Sequence, residues 1–480
     1  MLHLDPQEIE PGVRHGGIDI RVRTGDRSGD DLPTFEQLLL GGIENAYCGL
    51  GSGGAFGFGH GQYTTLPLNH LREGVLGKLE DRWRRSLTRR RALAGLAGFL
   101  AGSPVLRAQR DPLRDHSRVP AIDELATVFD FESVAFAKVP REAYQYTALG
   151  ADGEFTLRRN REAFDWVRLL PRAVADVSSI DASSEVLGLK LKFPLMIAPT
   201  AAHGQMHPEG ELATHRGATA ASGTPLIVSI GASYPIDKIA AAAAGPLWWQ
   251  LYAREEMDDN RELVERAVDA GCSALVFTVD TQLHSHRERL LHNRHLGVFI
   301  PSLAPARSRT RRGAQPPEAP NPNGVRPQTP YIDWGTIGQL RAFTKVPLLV
   351  KGILTAEDAL LALERGADGI VVSNHGGRYL DYAPSTLEVL PEIVEVVRGR
   401  IPVLIDSGFR RGTDILKALA LGAKAVCVGR APRWGLGAYG EAGVQRVLEI
   451  LQGELVAAMA HMGRPTLASI DRTAVRTDFP

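Results

Sequence analysis

Residues 369–381 read GIVVSNHGGRYLD, and they combine a clear structural signal with chemically useful side chains. The apolar start predicts a strand buried on both faces, and a polar turn with two glycines follows it. In this turn His375 can exchange a proton near neutral pH, and Arg378 can hold a carboxylate through two hydrogen bonds. Alone, such a pair is more often a solvated histidine and a surface arginine, so its meaning depends on the rest of the chain.

The same pattern of a short apolar run, a polar turn and an amphipathic helix repeats from residue 194 to the end of the chain. Eight buried strands that alternate with helices predict an α/β protein with a (β/α)8 TIM barrel. A doubly wound open sheet is the alternative, but the count of eight and the absence of an early Gly-x-Gly-x-x-Gly favour the barrel. Short helices at residues 122–129 and 140–149 are expected to lead into it. The predicted strands are residues 195–200, 226–230, 247–252, 274–280, 348–352, 369–374, 403–407 and 425–429.

Composition excludes several classes of function. Lysine plus arginine and aspartate plus glutamate balance at 55 each, and no basic stripe with interleaved aromatic residues occurs, so we expect no nucleic-acid partner. The three cysteines, Cys48, Cys272 and Cys427, have no metal-binding or redox spacing. The sequence therefore predicts neither a metal site nor a disulfide framework.

The first 110 residues differ from the rest. Residues 1–83 lack convincing periodicity and are predicted to form a disordered, low-structure extension, whereas residues 111–480 form the catalytic barrel domain. Between them, residues 84–110 place SLTRRR before a short apolar run and small residues, which is typical of a twin-arginine signal and predicts a periplasmic or exported protein. Its position some eighty residues into the chain argues against a signal. The alternative is a basic surface helix on a cytoplasmic protein.

Polar residues follow every predicted strand, at the end of a barrel where active sites lie. After the seventh and eighth strands, Gly408, Arg410, Gly429 and Arg430 offer backbone N–H groups and guanidinium groups. Barrels commonly hold a phosphate at this place. After the fourth strand, residues 281–333 form a long loop rich in proline, and a role for its stretch 304–326 does not follow from the sequence.

From about residue 140 to the C-terminus, outside residues 304–326, the chain resembles the FMN-dependent 2-hydroxy acid oxidase and dehydrogenase family. This family includes glycolate oxidase, lactate oxidase, and lactate and mandelate dehydrogenases. The segments that carry the resemblance are TLRRNR at 156–161, PLMIAPTA at 194–201, HPEGE at 207–211, QLY at 250–252, TVDT at 278–281, LVKG at 349–352, SNHGGRYLD at 373–381 and RRGTD at 410–414.

The resemblance implies a reaction and a role for each catalytic residue. The substrate would be an (S)-2-hydroxy acid that is oxidised to the 2-keto acid. His375 would be the base, Asp280 would stabilise the imidazolium, and Tyr252 would bond the substrate hydroxyl or keto oxygen. The residues implied to bind the substrate carboxylate are Tyr146, Arg287 and Arg378.

FMN is the cofactor that the resemblance implies. Lys351 would lie beside the flavin ring and stabilise its reduced form. The other residues implied to bind the cofactor are Ala201, Ser229, Gln250 and Thr278 at the ring, Gly408, Arg410, Gly429 and Arg430 at the phosphate, and Thr200, Ser373 and Asp406.

Some questions stay open at the level of sequence. Gly231 stands where glycolate oxidase has a bulky tryptophan, so the pocket is expected to accept larger acids. Electrons would pass to oxygen, a quinone or a cytochrome, and a homotetramer is possible because family members often form one. The alternatives are an isomerase or a nucleotide dehydrogenase on a phosphate-binding barrel, or a flavin-binding protein without turnover.

Overall fold

The computed structural model describes residues 118–283, 285–289, 329 and 331–480, and the backbone of three short strands nearer the N-terminus. The chain divides into two units, Met1–Asp111 and Pro112–Pro480. In the first unit, the strands Ile9–Arg14, Gly17–Arg23 and Tyr63–Thr64 form an antiparallel sheet with Gly17–Arg23 in the middle. The sequence pattern predicts no strands there, although apolar residues at positions 18, 20 and 22 have the period of a strand. The signal segment 84–110, the loop stretch 304–326 and most of residues 1–83 lie outside the described residues.

The second unit contains a closed barrel of eight parallel strands, as predicted. Each strand pairs with the next along the chain, and the last pairs with the first, which closes the barrel. The strands consist mostly of apolar residues buried on both faces, which is the composition that such strands require, and their few polar residues lie chiefly towards the carboxyl ends. They are β1 Leu195–Ile197, β2 Leu226–Ser229, β3 Leu247–Leu251, β4 Cys272–Thr278, β5 Leu348–Ile353, β6 Gly369–Val372, β7 Val403–Ile405 and β8 Ala425–Val428.

From residue 118 onward, three helices precede the barrel: α1 Val128–Lys138, α2 Arg141–Ala148 and α3 Phe155–Glu162. The helix expected at 122–129 is wrong over residues 122–127, where a short 3-10 turn, Ile122–Glu124, lies instead. Helix α1 begins at Val128, after a capping box formed by Thr127 and Asp130. The helices that follow β1 to β8 are α4 Gly210–Ala220, α5 Ile236–Ala242, α6 Met257–Asp269, α7 Gly335–Phe343, α8 Ala356–Glu364, α9 Thr386–Val397, α10 Gly412–Ala420 and α11 Arg430–His461.

Alternate residues of the strands enter two separate apolar layers. Met196, Ile227 and Leu349 point into the barrel, whereas their neighbours, such as Ile197 and Leu348, pack against the helices. The hairpin of Ser184–Val186 and Leu189–Leu191 packs with the inward-facing residues just before β1 begins. The barrel is therefore a filled core, and the space for a ligand lies at the opposite, carboxyl ends of the strands.

Every strand except β5 ends one to three residues earlier than the sequence pattern predicts. Some of the polar residues assigned to the strand ends, among them Thr200 and Asp280, lie in the loops beyond, whereas others, such as Thr278, are still in the strands. Ser407 has a φ of 81° and His375 a φ of 57°, in the left-handed region that no strand accommodates. The backbone thus turns at the point where the polar side chains begin.

Candidate active site

A cavity of about 500 Å³ opens at the carboxyl ends of the strands. Most of the predicted site residues line it, and four lie just behind its wall: Asp280, Gln250, Thr278 and Ser373. The predicted residues that line the cavity are Tyr146, Thr200, Ala201, Ser229, Tyr252, Arg287, Lys351, His375, Arg378, Asp406, Gly408, Arg410, Gly429 and Arg430.

His375 is held between a carboxylate and a phenol. Its Nδ1 lies 2.9 Å from Asp280 Oδ1, and its Nε2 lies 3.4 Å from the Tyr252 hydroxyl. Its backbone N–H donates to Ser373 Oγ over 3.0 Å, which fixes the left-handed turn at this residue. With Nδ1 donating to Asp280, the free imidazole exposes Nε2 to the cavity as an acceptor.

The protonation states of this group are set by burial and by charge. Burial lowers the pKa of His375 below its usual value, assisted by Lys351 and Arg378 and opposed by Asp280. Burial alone would raise the pKa of Asp280, but His375 and Lys351 outweigh it and leave that pKa lowered. At neutral pH the site therefore contains a neutral imidazole beside a carboxylate. Only one oxygen of this carboxylate, Oδ1, is hydrogen-bonded, and Oδ2 is buried without a partner among the described residues.

Lys351 presents a buried positive charge from strand β5. Its Nζ donates to Ser373 Oγ over 2.9 Å and lies 3.3 Å from Asp406 Oδ2. Burial opposes the charge, but Asp406 and Asp280 outweigh burial, so the pKa of Lys351 is raised above its usual value. The ammonium group is thus permanently charged in the cavity wall.

Polar atoms on strands β2 to β4 point towards the same wall as Lys351. Ser229 Oγ donates to Gln250 Oε1 over 3.0 Å, and Gly231 N–H donates to Ser229 Oγ over 3.1 Å. The Nε2 atom of Gln250 and the Oγ1 atom of Thr278 are buried and have no partner in the described part of the chain. Because a buried polar atom without a partner is costly, these two atoms indicate a ligand with complementary groups.

Two arginines and two glycines lie beyond β7 and β8. Arg410 donates to Phe409 O over 2.8 Å, and burial lowers its pKa to about 10. Arg430 donates to the carbonyl groups of Thr147 and Gly376, each over 2.9 Å, and burial lowers its pKa well below the usual value. Neither guanidinium group has a carboxylate partner in the described residues, so their charges are available to an anion.

Gly408 allows the turn that presents Arg410. Its φ of 91° is in the left-handed region, and a Cβ there would lie 2.2 Å from Asn160 O. The loop after β7 and helix α3 are therefore in direct backbone contact. Arg161 of α3 strengthens this contact by donating to Gly408 O over 2.6 Å.

Tyr146 lies among three arginines. The guanidinium carbons of Arg378, Arg433 and Arg287 are 5.1, 5.8 and 5.9 Å from the centre of its ring. Burial would raise the pKa of the phenol, but Arg378, Arg433 and Arg287 outweigh it, so this pKa is lowered. The Nη1 atom of Arg287 is buried without a hydrogen-bond partner among the described residues. This end of the cavity is therefore equipped for a carboxylate.

Sequence reasoning missed several lining residues, of which Arg433 and Thr147 matter most. Arg433 follows Arg430 by three residues in the first turn of α11, so both lie on one face of that helix. This spacing was a usable signal. No local signal marks Thr147, whose carbonyl group and hydroxyl group accept hydrogen bonds from Arg430 and Arg433, far along the chain.

Comparison with known proteins identifies the class. Residues 135–477 match the family model described as FMN-dependent dehydrogenase, so the chain belongs to that family. It is 42% identical over 365 residues to a peroxisomal (S)-2-hydroxyacid oxidase of Arabidopsis thaliana, covering 74% of this chain and 98% of the relative. It is 41% identical over 360 residues to glycolate oxidase 1 of Oryza sativa, covering 74% and 96% of the two chains.

Solved structures of the same family have the same fold. A mandelate oxidase crystal structure matches with a TM-score of 0.66 and 36% identity over 74% of this chain and 99% of the other. A soluble mutant of the membrane-associated (S)-mandelate dehydrogenase from Pseudomonas putida matches with a TM-score of 0.65 and 36% identity over 74% and 100% of the two chains. The chain is thus an FMN-dependent oxidoreductase of 2-hydroxy acids.

The cavity fits FMN. The unpartnered Gln250 Nε2 and Thr278 Oγ1 lie directly behind the lining, where Gln250 bonds Ser229 and Thr278 pairs with Lys351. They would suit a ring edge with both donors and acceptors, and the buried Lys351 charge would suit a ring that becomes anionic. Arg410 and Arg430 offer charges to the phosphate. The described residues contain no cluster of histidine, cysteine and carboxylate side chains suited to a metal ion.

Proposed function

We propose that this enzyme oxidises an (S)-2-hydroxy acid to the 2-keto acid with His375 as the base and Arg378 as the carboxylate anchor. The observation that carries the proposal is the hydrogen-bonded row Asp280–His375–Tyr252. His375 and Tyr252 line one cavity with Arg378, and Asp280 supports His375 from behind. A base, a carboxylate anchor and an adjacent positive charge are what this oxidation requires. Bound FMN supplies the electron-accepting ring.

The residues divide the work as follows. Arg378 uses its Nη1 atom to donate to the carbonyl groups of Tyr146 and Leu149, which leaves the other edge of its guanidinium group for the substrate carboxylate. Tyr146 and Arg287 complete that anion site. Tyr252 donates to the substrate oxygen, since its own pKa is raised well above the usual value, chiefly by burial.

Proton transfer falls to Nε2 of His375. The neutral imidazole accepts the substrate proton at Nε2, and Asp280, bonded to Nδ1, stabilises the imidazolium that results. Lys351, which also lines the cavity, stabilises negative charge there. General acid–base groups of this kind contribute about 10²- to 10⁴-fold in rate.

We infer that the preferred acid carries a large side chain. Gly231 lines the cavity, and a Cβ at this position would lie only 2.9 Å from the Cβ of Ala201. A bulky residue there would fill the space that an aromatic acid side chain needs. The match to mandelate oxidase and mandelate dehydrogenase structures agrees with this preference.

The alternative functions, a nucleotide dehydrogenase or a flavin-binding protein without turnover, have less support in the described residues. A nucleotide dehydrogenase needs a reactive cysteine, yet Cys272 is buried and its pKa is raised to about 12 by burial, and burial also raises the pKa of Cys427. Thiolates are the reactive form of cysteine, so both are poor nucleophiles. A flavin-binding protein without turnover would have no need of the His375–Asp280 pair.

The electron acceptor and the cellular location of the enzyme are also proposals. If residues 84–110 direct twin-arginine export, a quinone or cytochrome is the natural acceptor, and oxygen is the alternative. None of the described helices is long and apolar enough to cross a membrane. N-terminal sequencing of the protein from cell fractions tests export, and size-exclusion chromatography with light scattering tests the homotetramer.

The test of the reaction is substitution of His375→Ala with the flavin spectrum as the readout. We expect the purified wild-type protein to show an oxidised flavin spectrum that bleaches anaerobically when (S)-mandelate or another 2-hydroxy acid is added. The variant should retain FMN, because His375 supports no residue of the phosphate end, and should bleach at least about 100-fold more slowly. Bleaching at the wild-type rate would show that another residue is the base.

A further inference from the structure

Arg433 is a buried cation inside the cavity wall for which the proposed reaction has no role. It is only 3% exposed and lies in the first turn of α11. Its Nε donates to Thr147 Oγ1 over 3.1 Å, its Nη1 donates to Ala201 O, and its Nη2 donates to Ala202 O over 3.4 Å. The Arg433 side chain thus joins helix α11 to Thr147 and to the Ala201–Ala202 turn, which are far from it and from each other in sequence.

In the described part of the chain, Arg433 forms no ion pair or hydrogen bond with a carboxylate. Within the described residues, all three of its hydrogen-bond partners are uncharged oxygens. Burial lowers the pKa of its guanidinium group to about 10, while Tyr146 and Glu211 act in the opposite direction. Its guanidinium carbon lies 5.8 Å from the centre of the Tyr146 ring. The positive charge of Arg433 is thus one of the charges that act on the phenol of Tyr146.

The loop that Arg433 holds has an unusual backbone. Ala202 has a φ of 58°, a left-handed conformation that is unfavourable for a residue with a side chain. The carbonyl groups of Ala201 and Ala202 both accept from the guanidinium group. A planar fork can satisfy two such neighbouring acceptors and Thr147 at once, whereas the ammonium group of lysine cannot copy this geometry.

We propose that Arg433 is a positioning residue that ties the Ala201–Ala202 turn, on the flavin side of the cavity, to Tyr146, on the carboxylate side. The proposal rests on the proposed function, since it takes Tyr146 to bind the substrate carboxylate. Loss of Arg433 then has two effects. The turn and Tyr146 lose their common support, and the phenol of Tyr146 loses one of its neighbouring charges.

The second effect predicts a specific pH dependence. Among the described residues, the charged and titratable groups that face Tyr146 are Arg287 from the loop after β4, Arg378 from the loop after β6, Arg433 from α11 and Tyr252 just after β3. The arginines favour the phenolate, so removal of Arg433 raises the pKa of Tyr146. Because the neutral phenol donates to a carboxylate, carboxylate affinity falls as pH rises through this pKa. In the Arg433→Gln variant the fall moves to higher pH.

The experiment measures the dissociation constants of two 2-keto acids, glyoxylate and benzoylformate, on the FMN-loaded protein between pH 7 and pH 10. Perturbation of the flavin absorption reports binding without turnover. At pH 7 we expect the Arg433→Gln and Arg433→Lys variants to bind about 10-fold more weakly, the loss of roughly one hydrogen bond. Only Arg433→Gln should shift the pH of the decline, since lysine keeps the charge.

Two further variants keep the test decisive. Thr147→Val removes the Nε acceptor and leaves the charge, so it should weaken binding by a smaller factor and leave the pH of the decline unchanged. Arg365→Gln alters an exposed arginine at the end of α8, at the opposite end of the barrel, and should change neither quantity. If Arg433→Gln fails to fold, Thr147→Val and Arg433→Lys still test the support.

Wild-type affinity and pH dependence in all three site variants would overturn the inference, because Arg433 would then be only a packing residue. Failure of the proposed function gives a different result. In that case wild-type flavin would not bleach with any 2-hydroxy acid, whatever the behaviour of Arg433.

Discussion

Two opposing influences, burial and the Asp280 carboxylate, set the pKa of the His375 imidazole. Burial keeps it neutral, whereas Asp280 at 2.9 Å favours the imidazolium and so raises its pKa towards the usual value. A base that is neutral at rest but stabilised once protonated is suited to accept a proton at neutral pH. The Oδ2 atom of Asp280 has no hydrogen-bond partner among the described residues, so no donor at this atom offsets the negative charge of the carboxylate.

Substitution of Asp280→Asn should therefore change both the rate and its pH dependence. Without the carboxylate the pKa of His375 falls further, so the acid limb of the rate of flavin reduction at limiting substrate shifts to lower pH. The rate on the plateau should fall by about 10²- to 10⁴-fold, because the imidazolium loses its stabilising charge. Stopped-flow reduction between pH 5 and pH 8 measures both. An acid limb that stays in place would assign it to a group other than His375.

At the residue scale, local motifs predicted the chemistry and missed its supports. His375, Arg378 and Lys351 were found because each follows an apolar run with a recognisable polar signature. Arg433 was missed because its partners, Ala201 and Thr147, are brought to it only by barrel closure. Short sequence motifs contain no information about such long-range contacts.

At the scale of elements, the loop after β6 is built together with helix α3. Gly377 has a φ of 70°, and a Cβ there would lie 2.7 Å from Leu157 N. Asp381 accepts hydrogen bonds from the backbone N–H groups of Phe155 and Thr156 over 3.2 and 2.8 Å, so it satisfies the first turn of α3. The loop that carries His375 and Arg378 is thus fastened at its far end to a helix.

Removal of this fastening should cost stability and activity together. In Asp381→Ala, two N–H groups of α3 lose their acceptor, which we expect to lower the free energy of unfolding by about 1 to 2 kcal/mol. Thermal melting of the FMN-loaded protein measures the loss. Asp176→Ala is the control, because Asp176 accepts only from the nearby Ser178 N–H and is exposed. Equal melting temperatures in the two variants would show that Asp381 does not hold the helix.

At the scale of the whole molecule, the barrel was predictable because each of its strands coincides with a short apolar run in the sequence. The strand ends were predicted less well, since polar residues continue past the point where the backbone turns. Helix α1 was largely missed, although Thr127 and Asp130 provide a start signal for it. The sheet in the first unit was missed because Ile9–Arg14 contains Pro11 and Gly12, residues that are uncommon in strands.

The balance of charge in the cavity has consequences for the stability of the whole barrel domain. Its described lining contains one carboxylate, Asp406, and six cations: Arg287, Lys351, Arg378, Arg410, Arg430 and Arg433. Desolvation disfavours these charges, as the lowered pKa values of Arg410 and Arg430 show. An anion that binds the folded protein alone relieves this repulsion and stabilises the fold by mass action.

Removal of FMN should therefore lower the melting temperature, and inorganic phosphate should restore part of the loss. A ligand at 100 times its dissociation constant stabilises the folded state by about 2.7 kcal/mol. Phosphate should protect the FMN-free protein through Arg410 and Arg430, and more strongly than chloride at equal ionic strength.

Because phosphate also stabilises proteins without a specific site, Arg410→Gln is the control. Its side chain donates only to Phe409 O among the described hydrogen bonds, so the substitution leaves the other contacts of the loop intact. The stabilisation by phosphate should be smaller in this variant than in the wild type. Equal stabilisation would place the anion elsewhere and separate the arginines after β7 and β8 from phosphate binding.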